Sequence, residues 1–468
     1  MMKKTIAALA STLVLAGACK EPLGAPNEDA PVLGAPVTAQ NLVGGVVSQG
    51  RVNGSSFAYL LFPEGFARNA LRTDPNEGRY VGELIAVPFD PSDFIGASGW
   101  TGFFQGIRSA NQAIANPAIT GLQAGDRNAV VGLVQTLKAL EYIRALQLRD
   151  TLGIPIQTAA IKPPDPLRTK TSVLTFVSAL LDSGYANLTA GGVDATIPVS
   201  LPSGYTLHGD FTQTANLALF NRGLKGEAEV YRLLDHQSPC ATCAQTAITA
   251  LTTAIGGTTA TASGLAFGPY YEYNPNAPES FARPLADNKI YVTDNWVQSI
   301  QTGDARAAKA VKSSTPSATN VLLTPLTYQS PLTNPSDQTS PLPIRRAAMW
   351  YLLRAQAEAE SGQLAAATAD VNVVHTGEGK LAPIAPLASV AAAHAAILYE
   401  YRYSFLFEGP HHLTMLRAYS GLTKAYVTQP GMPTATADPT HATDPLSSAL
   451  PIPIAEQLAR NNNTTPIP

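Results

Sequence analysis

The chain has 468 residues, enough for one large core or two smaller ones. Its formal net charge is only −3, and charged residues make up 14% where about 25% is usual. No basic face advertises itself to a nucleic acid or an anionic membrane surface, so polynucleotide binding is not expected.

Met1 to Lys4 carry two lysines, Thr5 to Leu15 are almost wholly apolar, and Ala16, Gly17 and Ala18 are small residues leading to Cys19. The apolar run is too short to span a bilayer. Residues 1–18 resemble a lipoprotein signal peptide, with Cys19 as the acylated residue; plain secretion with cleavage near Ala18 is the competing reading. Residues 19–44 are rich in Pro, Gly and Ala and read as a flexible tether, with a single domain over 45–468.

From Gly44 to Ala67 a partly apolar helix is predicted, broken by Pro63. Phe103, Phe104, Ile107, Ala110 and Ile114 recur at spacings of three and four, which predicts an amphipathic helix over 100–116 that Pro117 terminates. A second helix over 128–152 follows, and the two are expected to form a helical hairpin. Further pairs are predicted at 212–234 with 241–255, hinged at Ser238-Pro239-Cys240, and at 344–362 with 363–374, hinged at Gly362. The expected class is mainly α, a tetratricopeptide-like helical-repeat core carrying long irregular loop insertions.

The largest insertion, about 264–340, holds Tyr270, Tyr271, Tyr273, Phe281, Tyr291, Trp296 and Tyr328 among Pro, Asn and Gly. Such a loop is expected to be functional. Trp100, Tyr270, Tyr271, Tyr273 and Trp296 are the candidate ligand-binding residues, on the argument that flat aromatic faces suit sugar rings; packing of the loop onto the helices is the alternative use of the same rings. If residues 271–273 are extended, Tyr271 and Tyr273 share one side and Glu272 takes the other. Cys240 and Cys243 are expected to form a short disulfide at the head of a helix. A zinc site would need two more ligands with only His236 nearby, and a thioredoxin-like role would need a βαβ context.

The last third carries a resemblance. Ile397-Leu398-Tyr399-Glu400-Tyr401-Arg402-Tyr403-Ser404-Phe405-Leu406-Phe407-Glu408-Gly409 resembles the Glu-Arg-x-x-Glu-Leu-x-Phe-Glu-Gly signature of the SusD/RagB-like nutrient-binding outer-membrane lipoproteins, and Leu416-Arg417 with Tyr419 resembles the step that follows it. Arg354 to Ala359, Asp370 to Val374, Ala139 to Tyr142, Leu152 to Ile156 and Leu450 to Glu456 match the same family in order. Tyr401, Phe405-Leu406 and Pro410-His411-His412 depart from the usual pattern. The spacing of Glu400, Arg402 and Glu408 suits structural ion pairing and capping rather than acid–base work, and neighbouring histidines do not converge on one metal.

The resemblance implies a non-catalytic, cell-surface protein anchored to the outer membrane, with no cofactor. It would capture oligosaccharides or peptides for a SusC-like TonB-dependent transporter. No Gly-x-Ser-x-Gly, His-Glu-x-x-His or phosphate-loop motif opposes that reading. A lipid-anchored helical scaffold that binds a protein partner is the alternative.

Overall fold

Helix-period apolar faces cannot be buried alone, and here they are buried against one another in sequence order. The computed structural model describes residues 37–85, 89–156, 164–192, 195–256, 264–274, 284–318, 322, 324–434, 446 and 448–468. Two units are distinguished, Met1–Thr38 and Ala39–Pro468. The elements named below all lie in the second. Cys19, the signal segment and the tether up to residue 36 lie outside the described residues, as does Phe281.

The longer helices are α1 (Ala39–Gly54), α2 (Thr101–Ala115), α3 (Ala124–Arg149), α4 (Lys170–Ala190), α5 (Thr214–Leu233), α6 (Cys243–Gly256), α7 (Ala347–Glu360), α8 (Leu364–Gly377), α9 (Val390–Ser404) and α10 (His411–Ala418). Helix α1 packs on α2 and α2 on α3; from α3 to α6 each helix packs on the next, α6 then meets α7, and α7 meets both α8 and α9. The protein is mainly α-helical, with repeat-like helix-on-helix packing.

Several expectations change in detail. Helix α1 starts at Ala39, so the tether ends before residue 44. The helix predicted through Ala67 stops at Gly54, and Pro63 sits in the first turn of a short helix, Phe62–Phe66, where its missing N–H costs nothing. Pro117 likewise opens a short helix, Pro117–Thr120, capped by the Asn116 side chain, which accepts from the Ala118 N–H. Helix α4 has no counterpart among the predicted elements; it packs on α3 more extensively than α2 does, while α2 also packs on α3 as expected. The N–H of Ser172 is capped by Thr169.

The insertion over 264–340 is not without regular structure. It supplies β2 (Tyr270–Tyr271), β3 (Ile290–Val292), β4 (Val311–Lys312) and β5 (Tyr328–Gln329). With β1 (Ala70–Arg72), strands β3, β4 and β5 form an antiparallel sheet of order β1-β3-β5-β4, registered by Ala70 opposite Val292 and Arg72 opposite Ile290. Strand β2 pairs separately with β6 (Leu342–Pro343). The insertion is thereby stitched both to the chain before α2 and to the entry of α7. Cys240 and Cys243 are joined in a disulfide at the start of α6.

The segment that resembles the family signature is structural. Helix α9 ends at Ser404, and Phe407 adopts a left-handed conformation with φ 62°. Tyr403 and Phe407 are therefore not one helical turn apart, as a continuous helix would place them. The Phe407 N–H donates to the buried Glu64 carboxylate at 3.0 Å. Gly409 follows at φ 123°, where a Cβ would lie 2.8 Å from the Tyr59 ring, so only glycine closes this turn. Glu400 accepts from Arg306 and lies 2.7 Å from His375 Nδ1; Arg402 donates to Asn69 and Asn295; Glu408 pairs with Arg346 at 2.7 Å. His411 and His412 are buried, and burial pushes both imidazoles well below their usual range.

Candidate functional site

The five aromatics proposed as ligand contacts are all buried, at 0–7% exposure. Trp296 is wholly enclosed: its ring packs against Tyr403 at 4.9 Å and its indole N–H donates to the Arg402 carbonyl. Trp100 lies against Phe104, with the Arg149 guanidinium 5.4 Å from its ring centre. Tyr271 and Tyr273 both enter the main core, and the partly exposed Glu272 lies between them in sequence. The Tyr271 hydroxyl donates to the Gly50 carbonyl at 2.7 Å and accepts from Arg144 at 2.8 Å. Tyr270 packs on His208 with ring centres 4.6 Å apart. Tyr270 and Tyr271, with Tyr205, do line a cleft of about 540 Å³ beside α1. Their rings form part of its wall.

An open aromatic surface exists elsewhere, between the C-terminal end of α1 and the start of α2. A second cleft, about 350 Å³, is lined there by Phe57, Tyr80, Phe94, Asn53, Ser98 and Phe103 among others. Phe94 is 43% exposed, while Phe57 and Tyr80 are half-buried. Tyr80 is the hub: its ring meets Phe57 at 6.5 Å and Phe94 at 5.4 Å, both edge to face.

Local sequence explains why Phe94 stands out. Asp90 Oδ1 accepts from the Ser92 N–H and hydroxyl, and Asp93 Oδ1 accepts from the Ile95 N–H, so side chains substitute for helix or sheet bonding through this turn. Between them Ile95 plunges into the core while Phe94 is left at the surface. Gly99 at φ 61° closes the segment against α3, where a Cβ would come 2.5 Å from Leu148.

Charged groups frame the rings. The Arg79 guanidinium lies 4.6 Å from the centre of Phe94, and that of Arg72 lies 4.3 Å from the centre of Tyr80. Arg72 is held by Asp287 at 2.6 Å and Asp74 at 3.0 Å, and Lys289 reaches the same Asp74 at 2.7 Å. Arg79 pairs with Glu77 at 2.5 Å and Asp93 at 3.1 Å. Beneath the cleft Asn53 is buried; its amide donates to the Gly102 carbonyl at 2.9 Å and to Glu141 at 2.5 Å. The result is a rigid apolar platform ringed by oriented hydrogen-bonding groups. Aromatic faces and hydrogen-bonding groups side by side have the chemistry to hold a flat, polyhydroxylated molecule, with C–H faces on the rings and hydroxyls on the polar groups.

The sequence reading missed this cleft because it sought tryptophan and clustered tyrosine. A usable signal was present in Asp90-Pro91-Ser92-Asp93-Phe94, a large aromatic inside a polar turn. Among the described residues no group of three His, Cys, Asp or Glu is placed to hold a metal ion, and no helix is long and apolar enough to cross a membrane.

The fold of this unit is shared with solved structures of SusD superfamily proteins. Among solved structures it is similar to one determined with a xylogluco-oligosaccharide, at a TM-score of 0.68 and 12% identity over 92% of this chain and 99% of that one. A SusD superfamily protein from Parabacteroides distasonis matches at 0.64 and 11% identity, over 91% and 98% of the two chains. One from Bacteroides vulgatus matches at 0.63 and 13%, over 91% and 97%. No family model and no curated protein matches the chain.

Proposed function

We propose that this chain is a non-catalytic nutrient-binding lipoprotein of the cell surface, which captures oligosaccharides and hands them to a SusC-like TonB-dependent transporter in the outer membrane. The observation that carries this reading is the Phe94–Tyr80 platform, with Phe94 exposed and Tyr80 half-buried behind it, set on a fold shared with SusD superfamily proteins. A structure with that fold was determined with a xylogluco-oligosaccharide, which supports a glycan over a peptide as the ligand. Release of reducing ends from a glycan panel by the purified protein would argue for a hydrolase instead.

Phe94→Ala is expected to weaken oligosaccharide binding by about 1–3 kcal/mol, as truncation of an interface anchor does, while costing less than roughly 1 kcal/mol of stability. Titration calorimetry and thermal melting separate the two. Unchanged affinity would move the site away from this cleft.

The anchor is proposed at Cys19. Cys19→Ser is expected to shift the protein from the membrane to the soluble fraction of cells lacking the transporter, since a hydroxyl cannot form the thioether. Each lost acyl CH₂ removes about 0.8 kcal/mol of membrane affinity. Retention on the membrane in that fractionation would place the anchor elsewhere.

A further inference from the structure

Helix α1 carries two kinds of glycine. A Cβ on Gly54 would lie 2.6 Å from the Arg144 guanidinium, so close packing accounts for that residue. Gly44 and Gly45 are different: among the described residues a Cβ on either would meet no atom within 4 Å. A glycine in a helix interior is less stable than alanine because it gives up more backbone freedom on folding, yet two stand side by side here with no neighbour that calls for them. Both line the cleft of about 540 Å³ that also holds Tyr205, Tyr270 and Tyr271. Their missing side chains keep the helix side of that cleft open.

The facing walls are held in place by side chains. Gln40, in the first turn of α1, uses its amide in both directions on the Ser200 backbone, donating to the carbonyl at 3.0 Å and accepting from the N–H at 2.7 Å, across 160 positions of chain. The Ser203 hydroxyl donates to the Glu272 carboxylate. Gly204 approaches β2 so closely that a Cβ there would come 2.2 Å from the Tyr270 carbonyl oxygen. Residues 200–205 are thus tied to α1 and to β2 at once, and the cleft they enclose is preformed, with a volume inside the roughly 300–1,000 Å³ of small-molecule sites.

Ser48 and Arg51 on α1, Ser200 opposite them and Glu272 after β2 line the same space as Val47, Leu201 and Pro202. Hydroxyl, guanidinium and carboxylate together supply donors and acceptors for ring hydroxyls, while the apolar residues and the tyrosine rings supply surface for C–H groups. A peptide is recognised differently, by adding to a strand edge or seating its side chains in apolar pockets. Strand β2 pairs with β6 and has Gly204 against its Tyr270 carbonyl, which blocks an added strand at that point. Resting on the reading of the protein as one that captures glycans, we propose that this cleft is a second saccharide site, which takes a short oligosaccharide against the bare face of α1 at Gly44 and Gly45. It shares no lining residue with the Phe94 cleft, so the two sites are separable by substitution.

The test is calorimetric titration of the full folded protein with cello- and xylogluco-oligosaccharides, and with trialanine as a peptide control, repeated on Phe94→Ala, Gly44→Leu, Gly44→Ala and Glu272→Gln. The parent is expected to bind two saccharides per chain, with one event kept in Phe94→Ala and the other kept in Gly44→Leu. In the Phe94→Ala background, Gly44→Leu should weaken the remaining event at least about tenfold, as loss of a well-seated contact does, and Gly44→Ala should weaken it less. Both Gly44 variants should melt no lower than the parent, because leucine and alanine are better helix formers than glycine. Glu272→Gln keeps an acceptor for Ser203 and should weaken the same event without moving the melting point. Unaltered binding in Gly44→Leu, or a single event abolished by Phe94→Ala, would overturn the second site and leave the Phe94 reading standing. A single event kept in Phe94→Ala and lost in Gly44→Leu would uphold this cleft and remove the other. Gly44→Leu melting well below the parent would show that packing requires the glycine, and would overturn the inference. Trialanine bound by the parent and lost in Gly44→Leu, with no saccharide doing the same, would overturn the ligand class. If no saccharide binds at all, the glycan reading fails and the inference falls with it.

Discussion

Arg345→Met is expected to lower the stability of the folded unit by about 3–5 kcal/mol, measured by urea denaturation. Arg345 is buried at the entry to α7, where it donates to both oxygens of Glu227 at 2.9 and 3.1 Å and to the Tyr59 hydroxyl at 2.9 Å. Tyr59 in turn donates to Gln147 at 2.9 Å, and Gln147 donates to Tyr231 at 2.9 Å. One guanidinium therefore ties α3, α5, the Phe57–Leu60 turn and the strand β6 end together without solvent. Removing it leaves the Glu227 carboxylate buried and uncompensated, which is the costly half of the change. The double variant Arg345→Met with Glu227→Leu is expected to recover much of the loss, because a buried pair replaced on both sides by apolar groups is often nearly neutral. If the single variant were as stable as the parent, the network would be ornamental and the helices held by apolar packing alone.

The second large effect is on the pH dependence of stability. Glu64 is buried under the turn that follows α9. Burial raises its carboxyl from 4.5 to about 7, against the opposing hydrogen bonds from Asn69 at 2.7 Å and the Phe407 N–H. A carboxyl whose folded pKa is raised contributes stability that is fully present below about 4.5 and is lost as pH rises through about 7. That interval corresponds to roughly 3 kcal/mol. Glu64→Gln removes the titration and keeps an acceptor for Phe407, so its stability relative to the parent should improve between about pH 4.5 and pH 7 by up to roughly that amount and level off above it. Parallel stability curves for the two proteins over that window would show that Glu64 is ionised throughout in the fold.

How much of this was legible in the sequence depended on the kind of signal. The helices α2, α3, α5, α6, α7 and α8 announce themselves because apolar residues recur along each at spacings of three and four, even though stretches of α3, α5 and α7 are buried on every side. Helix α4 was missed because it lies between α3 and α5 and is written in Ser, Thr, Val and small residues, which weaken both the period and the helix propensity. Its neighbours, and not its own sequence, make it a helix. The signature around Glu400 was readable as structural ion pairing because its carboxylates and guanidinium had no other plausible employment in an aromatic-rich segment. Its partners Arg306, His375 and Asn69 could not be read, since nothing local connects residue 69 to residue 402. The candidate ligand residues meet a related difficulty. Large aromatics are the best ligand platforms and also the best core fillers, and a sequence does not say which face of a loop meets the helices. Trp296 and Tyr271 fill the core, whereas Phe94 was left outside by a turn of aspartates.

The two halves of the aromatic cleft differ in how far the chain must travel to build them. Phe57, Tyr80 and Phe94 lie within one short stretch before α2, so the platform forms from neighbours along the chain. Its charged rim does not: Arg72 meets Asp287, and Asp74 meets Lys289, each across 215 positions, through the pairing of β1 with β3. Contacts of that separation bear a loop-closure cost that local ones escape. A chain truncated before β3 would thus carry the apolar platform without the partners that fix Arg72 and Asp74 beside it, and that edge is ordered only when the distant strand arrives.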